Sequence, residues 1–171
     1  VARAENPEAI VGYRISPEEI HGEMVGYDLD DSLKLIDKLL EQDLDFLDLS
    51  SAAGGNFGKD AYKAMPQRGD FTEPVSLVIK KFVAGRVPVV ISGTIRSADE
   101  ALDALKYGDV ASMGVAALSD PDFKEKILAD NEETIHMNVK GHTEDLELPS
   151  GLIEVYTAGI GLPQVEGLIE K

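Results

Sequence analysis

Short apolar runs alternate with amphipathic stretches along most of this chain, and that alternation is the feature that most constrains its fold. Ile10–Ser16, Phe46–Ser50, Pro88–Ser92 and Asp109–Met113 read as strands. Near-continuous apolar character, clearest in the first, suits a parallel strand covered on both faces. Helical patterns fill the intervals. Ser16-Pro17-Glu18-Glu19 has the form of a capping box with proline at the first helical position. A polar, glycine-containing loop then runs through Gly26. Asp28 or Asp30 can cap a helix to about Gln42, with Leu33, Ile36, Leu39 and Leu40 near one face. A further helix is expected from Thr72 to Val83, ended by Gly85. A second capping box, Ser97-Ala98-Asp99-Glu100, opens one through Tyr107, and Asp120-Pro121 starts one to Ala129. Residues 51–71 form a long loop, and loops of that length in compact domains are usually functional. The tail, 130–171, carries no strand signal; a helix is expected after Pro149, with another near the C-terminus.

Four β-α units in a row imply an α/β fold with a parallel sheet and right-handed crossovers. Two architectures satisfy this. One is a small doubly wound sheet; the other is part of a (β/α)8 barrel, which normally takes about 250 residues. The 171 residues favour the first on length alone. Charge narrows the function. Sixteen Lys and Arg stand against 32 Asp and Glu, a net charge of −16. That balance argues against nucleic acid and against docking on an anionic membrane. The absence of cysteine rules out a disulfide, a thiolate metal site and a cysteine nucleophile. No run approaches the ~18 apolar residues of a membrane span. The opening residues lack a signal-peptide layout, so the expected location is cytoplasmic. A chain that starts at Val1 rather than Met reads as a processed product or a piece of something longer.

The chemistry is expected in Val87–Phe123. One strand ends in Ser92-Gly93-Thr94-Ile95 and leads to a capped helix. The next ends in Met113-Gly114-Val115 and leads to a short turn, Ala116-Ala117-Leu118. Glycines at the carboxyl ends of two successive parallel strands let backbone approach a ligand, and free N–H groups at helix starts favour an anion. Barrels commonly hold a phosphate with such loops. The plainer alternative is that both glycines are tight-turn residues.

These motifs resemble the last two strands of the Old Yellow Enzyme family, the NADH:flavin oxidoreductases. Val11-Gly12-Tyr13-Arg14-Ile15-Ser16-Pro17-Glu18 resembles the family's fifth strand, and Gly26-Tyr27 through Asp45–Ser50 its next helix and sixth strand. The resemblance covers about residues 10–128 and implies the C-terminal half of a TIM barrel over 1–129, with a helical extension over 130–171. It also implies an FMN site, NADH or NADPH as reductant, a small-molecule acceptor such as an activated alkene, and a need for a partner. That partner would be the missing N-terminal half-barrel or a second copy. The isolated chain is expected to be inactive.

Arg14, Gly93, Thr94, Gly114 and Val115 are the cofactor-binding candidates. Arg14 either faces the flavin pyrimidine, stabilising charge near N1 and C2=O, or forms a structural ion pair with Asp48 or Glu18. Val115 is a departure, because family members usually carry an arginine there for the flavin phosphate. Its loss leaves backbone donors and removes a bidentate contact. It also keeps open an alternative reading, a non-catalytic phosphate-ligand or assembly module. Arg96 either substitutes for that arginine or, as the preferred reading, is a solvated helix-start residue. No catalytic or metal-ligating residue is identified. His21, His136 and His142 are scattered, and Tyr13 and Tyr27 carry no mark of an acid. Tyr62, in the long loop, either approaches a substrate or, as the preferred reading, is an ordinary loop aromatic. Ser50–Gly55 would wall the substrate side. Glu41, Asp43 and Asp45 read as a solvated face.

Overall fold

In the computed structural model, which describes residues 2–50, 60–158 and 165–168, the strands of the main sheet lie in chain order. β1 (Gly12–Ile15) pairs in parallel with β4 (Phe46–Leu49), β4 with β5 (Val89–Ser92), and β5 with β6 (Val110–Ser112). A doubly wound sheet reverses its strand order and carries helices on both faces. Here order never reverses, so each right-handed crossover returns its helix to the same face. The length-favoured open sheet is therefore not what forms; four in-order β-α units are a sector of a barrel.

Burial follows from this. Ile15, Leu47, Leu49, Val89 and Ile91 share the helix-bearing face and are all buried. Their neighbours on the other face alternate with them. Arg14 pairs in register with Asp48, Asp48 with Val90, and Val90 with Val110. Val110 is 45% exposed and the Arg14 side chain 63%. α2 (Leu29–Leu40) begins as expected: the side chain of its N-cap Asp28 accepts the Asp31 N–H, and it buries Leu29 and Ile36. α3 (Val75–Val83) buries Ile79 and Val83 and stops at Ala84 and Gly85, both left-handed.

The first capping box does not open a helix. β2 (Glu19–His21) and β3 (Met24–Tyr27) form an antiparallel hairpin there, turned at Gly22 with φ +62°. Glu18 turns inward instead, 2% exposed, where its carboxylate accepts the Gln67 N–H at 3.1 Å. Ser32 Oγ donates to the Pro17 carbonyl at 2.6 Å. Both contacts come from distant sequence, which a local capping pattern cannot register. The second box does form. Glu100 N–H donates to Ser97 Oγ, and Glu100 Oε2 accepts the Arg96 N–H. It opens α4 (Ala98–Ala104).

Two compact units are distinguished. The first comprises residues 1–94 and 102–112, with both sheets; the second comprises 95–101 and 113–171. The second holds α5 (Val115–Ser119), α6 (Phe123–Leu128) and α7 (Ser150–Thr157), the last following Pro149 as expected. Its small core is Val139 and Val165, packed by Val115, Leu118, Leu146, Leu152 and Leu168. The final expected helix lies largely outside the described residues, as does 51–59 of the long loop. Among the described residues no helix is long and apolar enough to cross a membrane.

At the amino ends of β1 and β4 the acidic run is not merely solvated. Arg3, in the short helix α1 (Ala2–Glu5), bonds Asp43 and Asp45 at 2.6 Å each, and Asp45 also accepts the Val11 N–H.

Candidate functional site

Arg14 stands on the face of β1 opposite Ile15, because strand alternation buries Ile15 and sends Arg14 the other way. Its Nη1 is 3.2 Å from Asp48 Oδ2, and its Nη2 donates to Ser50 Oγ at 3.3 Å. The ion pair considered from sequence is therefore present, with Asp48 rather than Glu18. It does not consume the site. Most of the guanidinium side chain is exposed, and Asp48 Oδ1 is buried with no hydrogen-bond partner among the described residues. A buried carboxylate oxygen in that state is an unused acceptor.

The two glycines owe their identity to different causes. A Cβ on Gly93 would lie 2.8 Å from Cδ1 of Tyr62, so the packed ring already demands glycine. Tyr62 is 1% exposed. Its hydroxyl lies within hydrogen-bond distance of Asp60 Oδ1 (3.1 Å) and Asp103 Oδ2 (3.2 Å). Burial and these two carboxylates raise the phenol well above its ordinary range. Tyr62 is thus a packing residue beneath the turn. Asp103 in turn is held by Lys63 at 2.6 Å and Lys106 at 3.0 Å, which pull its carboxyl down to about 2. Thr94 follows at the same turn, half-buried.

Gly114 is the opposite case. Among the described residues no atom beyond its own chain neighbours lies within 4 Å of where its Cβ would stand, and its φ of −106° suits any residue. Neither packing nor backbone strain accounts for glycine there. Open space over a glycine at the start of α5 is what close approach of a ligand requires.

Val115 sends its side chain into the core of Val139 and Val165, which explains how the second unit accommodates an apolar residue at this position. Arg96 departs from the solvated reading, because its Nε is buried and unpartnered among the described residues. Gly93 and Thr94 belong to the first unit, and Arg96, Gly114 and Val115 to the second. Of the histidines, His136 and His142 are brought together: their rings lie nearly parallel, 10° apart in tilt, with centroids separated by 6.3 Å. Among the described residues no group of His, Asp and Glu could hold a metal ion. Of Ser50–Gly55, only Ser50 lies within the described residues.

The chain is 31% identical over 145 residues to a probable NADH-dependent flavin oxidoreductase of Bacillus subtilis. It is Old Yellow Enzyme-like. The match covers 84% of this chain and 37% of that protein. An uncharacterized oxidoreductase of Streptococcus pyogenes is 30% identical over 142 residues, 82% of the chain and 35% of the relative. An NADH:acrylate oxidoreductase of Vibrio harveyi is 31% identical over 147 residues, 85% of the chain and 14% of the relative. The Old Yellow Enzyme-like chain thus spans little more than a third of the first two curated relatives. Among solved structures, histamine dehydrogenase from Rhizobium sp. 4-9, a TIM-barrel enzyme, superposes with a TM-score of 0.55 at 20% identity. That superposition takes in 74% of this chain and 18% of the enzyme. No family model matches the chain.

Proposed function

We propose that this chain forms one side of an FMN site in an NADH-dependent flavin oxidoreductase, and that by itself it does not turn over. The observation that carries the reading is the sheet face opposite the buried one. It presents the exposed Arg14 guanidinium beside the unused Asp48 Oδ1, on four parallel strands laid in barrel order. When bound, FMN supplies hydride transfer from NADH to an acceptor, for which an activated alkene is the class proposed. Arg14 faces the pyrimidine edge and stabilises negative charge there, while Asp48 and Ser50 hold its guanidinium in place. The backbone N–H groups of Gly93, Thr94, Gly114 and Val115 are the phosphate donors. The open space at Gly114 suits that role. NADPH is the alternative reductant, and the cytoplasm is the location in keeping with a cysteine-free sequence.

Among the described residues β1 and β6 each pair on one side only, so both edges of the main sheet offer ladder groups to further strands. A missing N-terminal half-barrel is the partner proposed. A second copy would bring another −16 of charge to the same contact. The side chain of Val115, committed to a core, favours the second reading, a phosphate-ligand module without catalysis.

Titration of the purified chain with FMN and with riboflavin, followed by flavin fluorescence, tests the reading. FMN is expected to bind more tightly than riboflavin, Arg14→Ala to weaken both, and NADH oxidation with an enone to stay at background. Equal affinity for the two flavins, or no binding of either, would refute the phosphate assignment. Turnover by the chain alone would refute the half-site assignment.

A further inference from the structure

The second unit contains a hollow of about 170 Å³ around the end of α5, with no place in the flavin reading. Its lining includes Ser119, which is 4% exposed and whose Oγ is buried without a hydrogen-bond partner among the described residues. Buried hydroxyls are nearly always paired, so this one has an acceptor and donor to spare. The charges around it do not cancel. Asp120 and Lys126 neutralise each other: Lys126 Nζ lies 2.6 Å from Asp120 Oδ2 and also donates to the Thr134 carbonyl at 2.9 Å. The same Asp120 oxygen accepts the His136 N–H at 2.9 Å. Burial would push the Asp120 carboxyl up, but these donors outweigh it and hold it below the ordinary range. Asp122 and Asp145 also line the hollow. Neither has a Lys or Arg partner among the described residues, Asp145 bonding only to His142 Nδ1, at 3.4 Å. The hollow therefore has net negative charge, and it repels anions.

Geometry narrows the cation. The His136 and His142 rings both line the hollow and lie nearly parallel to each other, with centroids 6.3 Å apart. A planar guanidinium stacks on aromatic rings and sheds its weaker hydration more readily than a compact, strongly hydrated ammonium. A planar N–H fork also matches carboxylate oxygens two at a time. A metal ion is disfavoured because no group of ligating side chains is close enough among the described residues. Leu146 supplies an apolar wall for an alkyl arm. A hollow of about 170 Å³ has room for a guanidinium and its first methylenes. We infer that the hollow lined by Ser119, Asp122, Asp145, His136 and His142 binds an alkylguanidinium, such as an arginine side chain. The inference does not rest on the flavin reading.

The ring C–H signals of His136 and His142 report on the site by NMR in the intact chain, with His21 of the first unit as internal control. All titrations are run at one fixed pH. N-acetylarginine amide and n-butylguanidinium are expected to shift both signals saturably and leave His21 unmoved. Tighter binding of the first assigns a peptide arginine, and of the second a free guanidine. Neutral N-acetylcitrulline amide should not shift them, and n-butylammonium should bind several-fold more weakly. Ser119→Ala should weaken binding about fivefold, the loss of one hydrogen bond. Asp145→Asn, at an exposed position where folding is not at stake, should weaken it about tenfold, as charge-assisted bonds are the stronger ones. No saturation below about 100 mM overturns the proposal. So does binding of citrulline or butylammonium equal to arginine, or a Ser119→Ala and Asp145→Asn pair that both bind like the parent.

Discussion

Replacing Gly93 with alanine sets a methyl carbon 2.8 Å from Cδ1 and 3.2 Å from Cε1 of Tyr62, with the Ala61 nitrogen 3.7 Å away. The ring has little freedom to yield. It is buried, its hydroxyl lies between Asp60 and Asp103, and the Tyr107 ring stands 5.5 Å off at a 48° tilt. Overpacking of this kind costs ~1–3 kcal/mol. A value near the middle, about 2 kcal/mol, lowers the folding equilibrium about thirtyfold. Tyr62→Ala alone leaves a cavity and should cost ~3–5 kcal/mol. In that background the alanine methyl enters vacated space, so Gly93→Ala should then cost less than about 0.5 kcal/mol. The two changes are accordingly coupled by roughly 2 kcal/mol. Urea unfolding followed by circular dichroism reads this as midpoint shifts at constant slope. Gly93→Ala within about 0.5 kcal/mol of the parent, or strict additivity with Tyr62→Ala, would refute the claim that the Tyr62 ring is why residue 93 is glycine.

Two further outcomes follow from the ion pairs. Because the Asp103 carboxyl lies below its ordinary value when folded, its stabilisation is complete above about pH 4 and is lost as pH falls toward 2. Lys63→Met should raise that midpoint, as followed by carboxyl carbon NMR; an unchanged midpoint would show that Lys63 is not the main cause. Lys126→Met should destabilise the second unit by ~2–3 kcal/mol, since Asp120 is left buried while Lys126 itself was 24% exposed. His136 and His142 ring signals in a urea titration measure it, and a midpoint equal to the parent's would refute the assigned role of the pair.

How far the sequence could be read depended on the range of the forces involved. α2 was legible because Asp28 caps it and its apolar spacing points one way. The Ser97–Glu100 box was legible because both of its bonds close within a few residues. Ser16–Glu19 carried the same local code and became a hairpin, since Gln67 and Ser32 claim Glu18 and the Pro17 carbonyl. One cue was present there: Gly22 followed by a single residue between His21 and Met24, a two-residue hairpin turn opened by glycine. The site was legible unevenly. Arg14 and Asp48 could be paired from strand positions, whereas the Tyr62 ring under Gly93 and the buried Nε of Arg96 leave no trace in spacing.

From the order of residues alone come the parallel strands, the helices between them and the two glycine-bearing strand ends, because periodicity and capping act over a few residues. Strand order, and with it the bare face on which Arg14 stands, is a property of the assembled sheet. The reasons for the glycines at 93 and 114 likewise emerge only when distant segments meet. A missing Cβ is the same letter in both places, and only the atoms that do or do not occupy its volume tell packing from an opening.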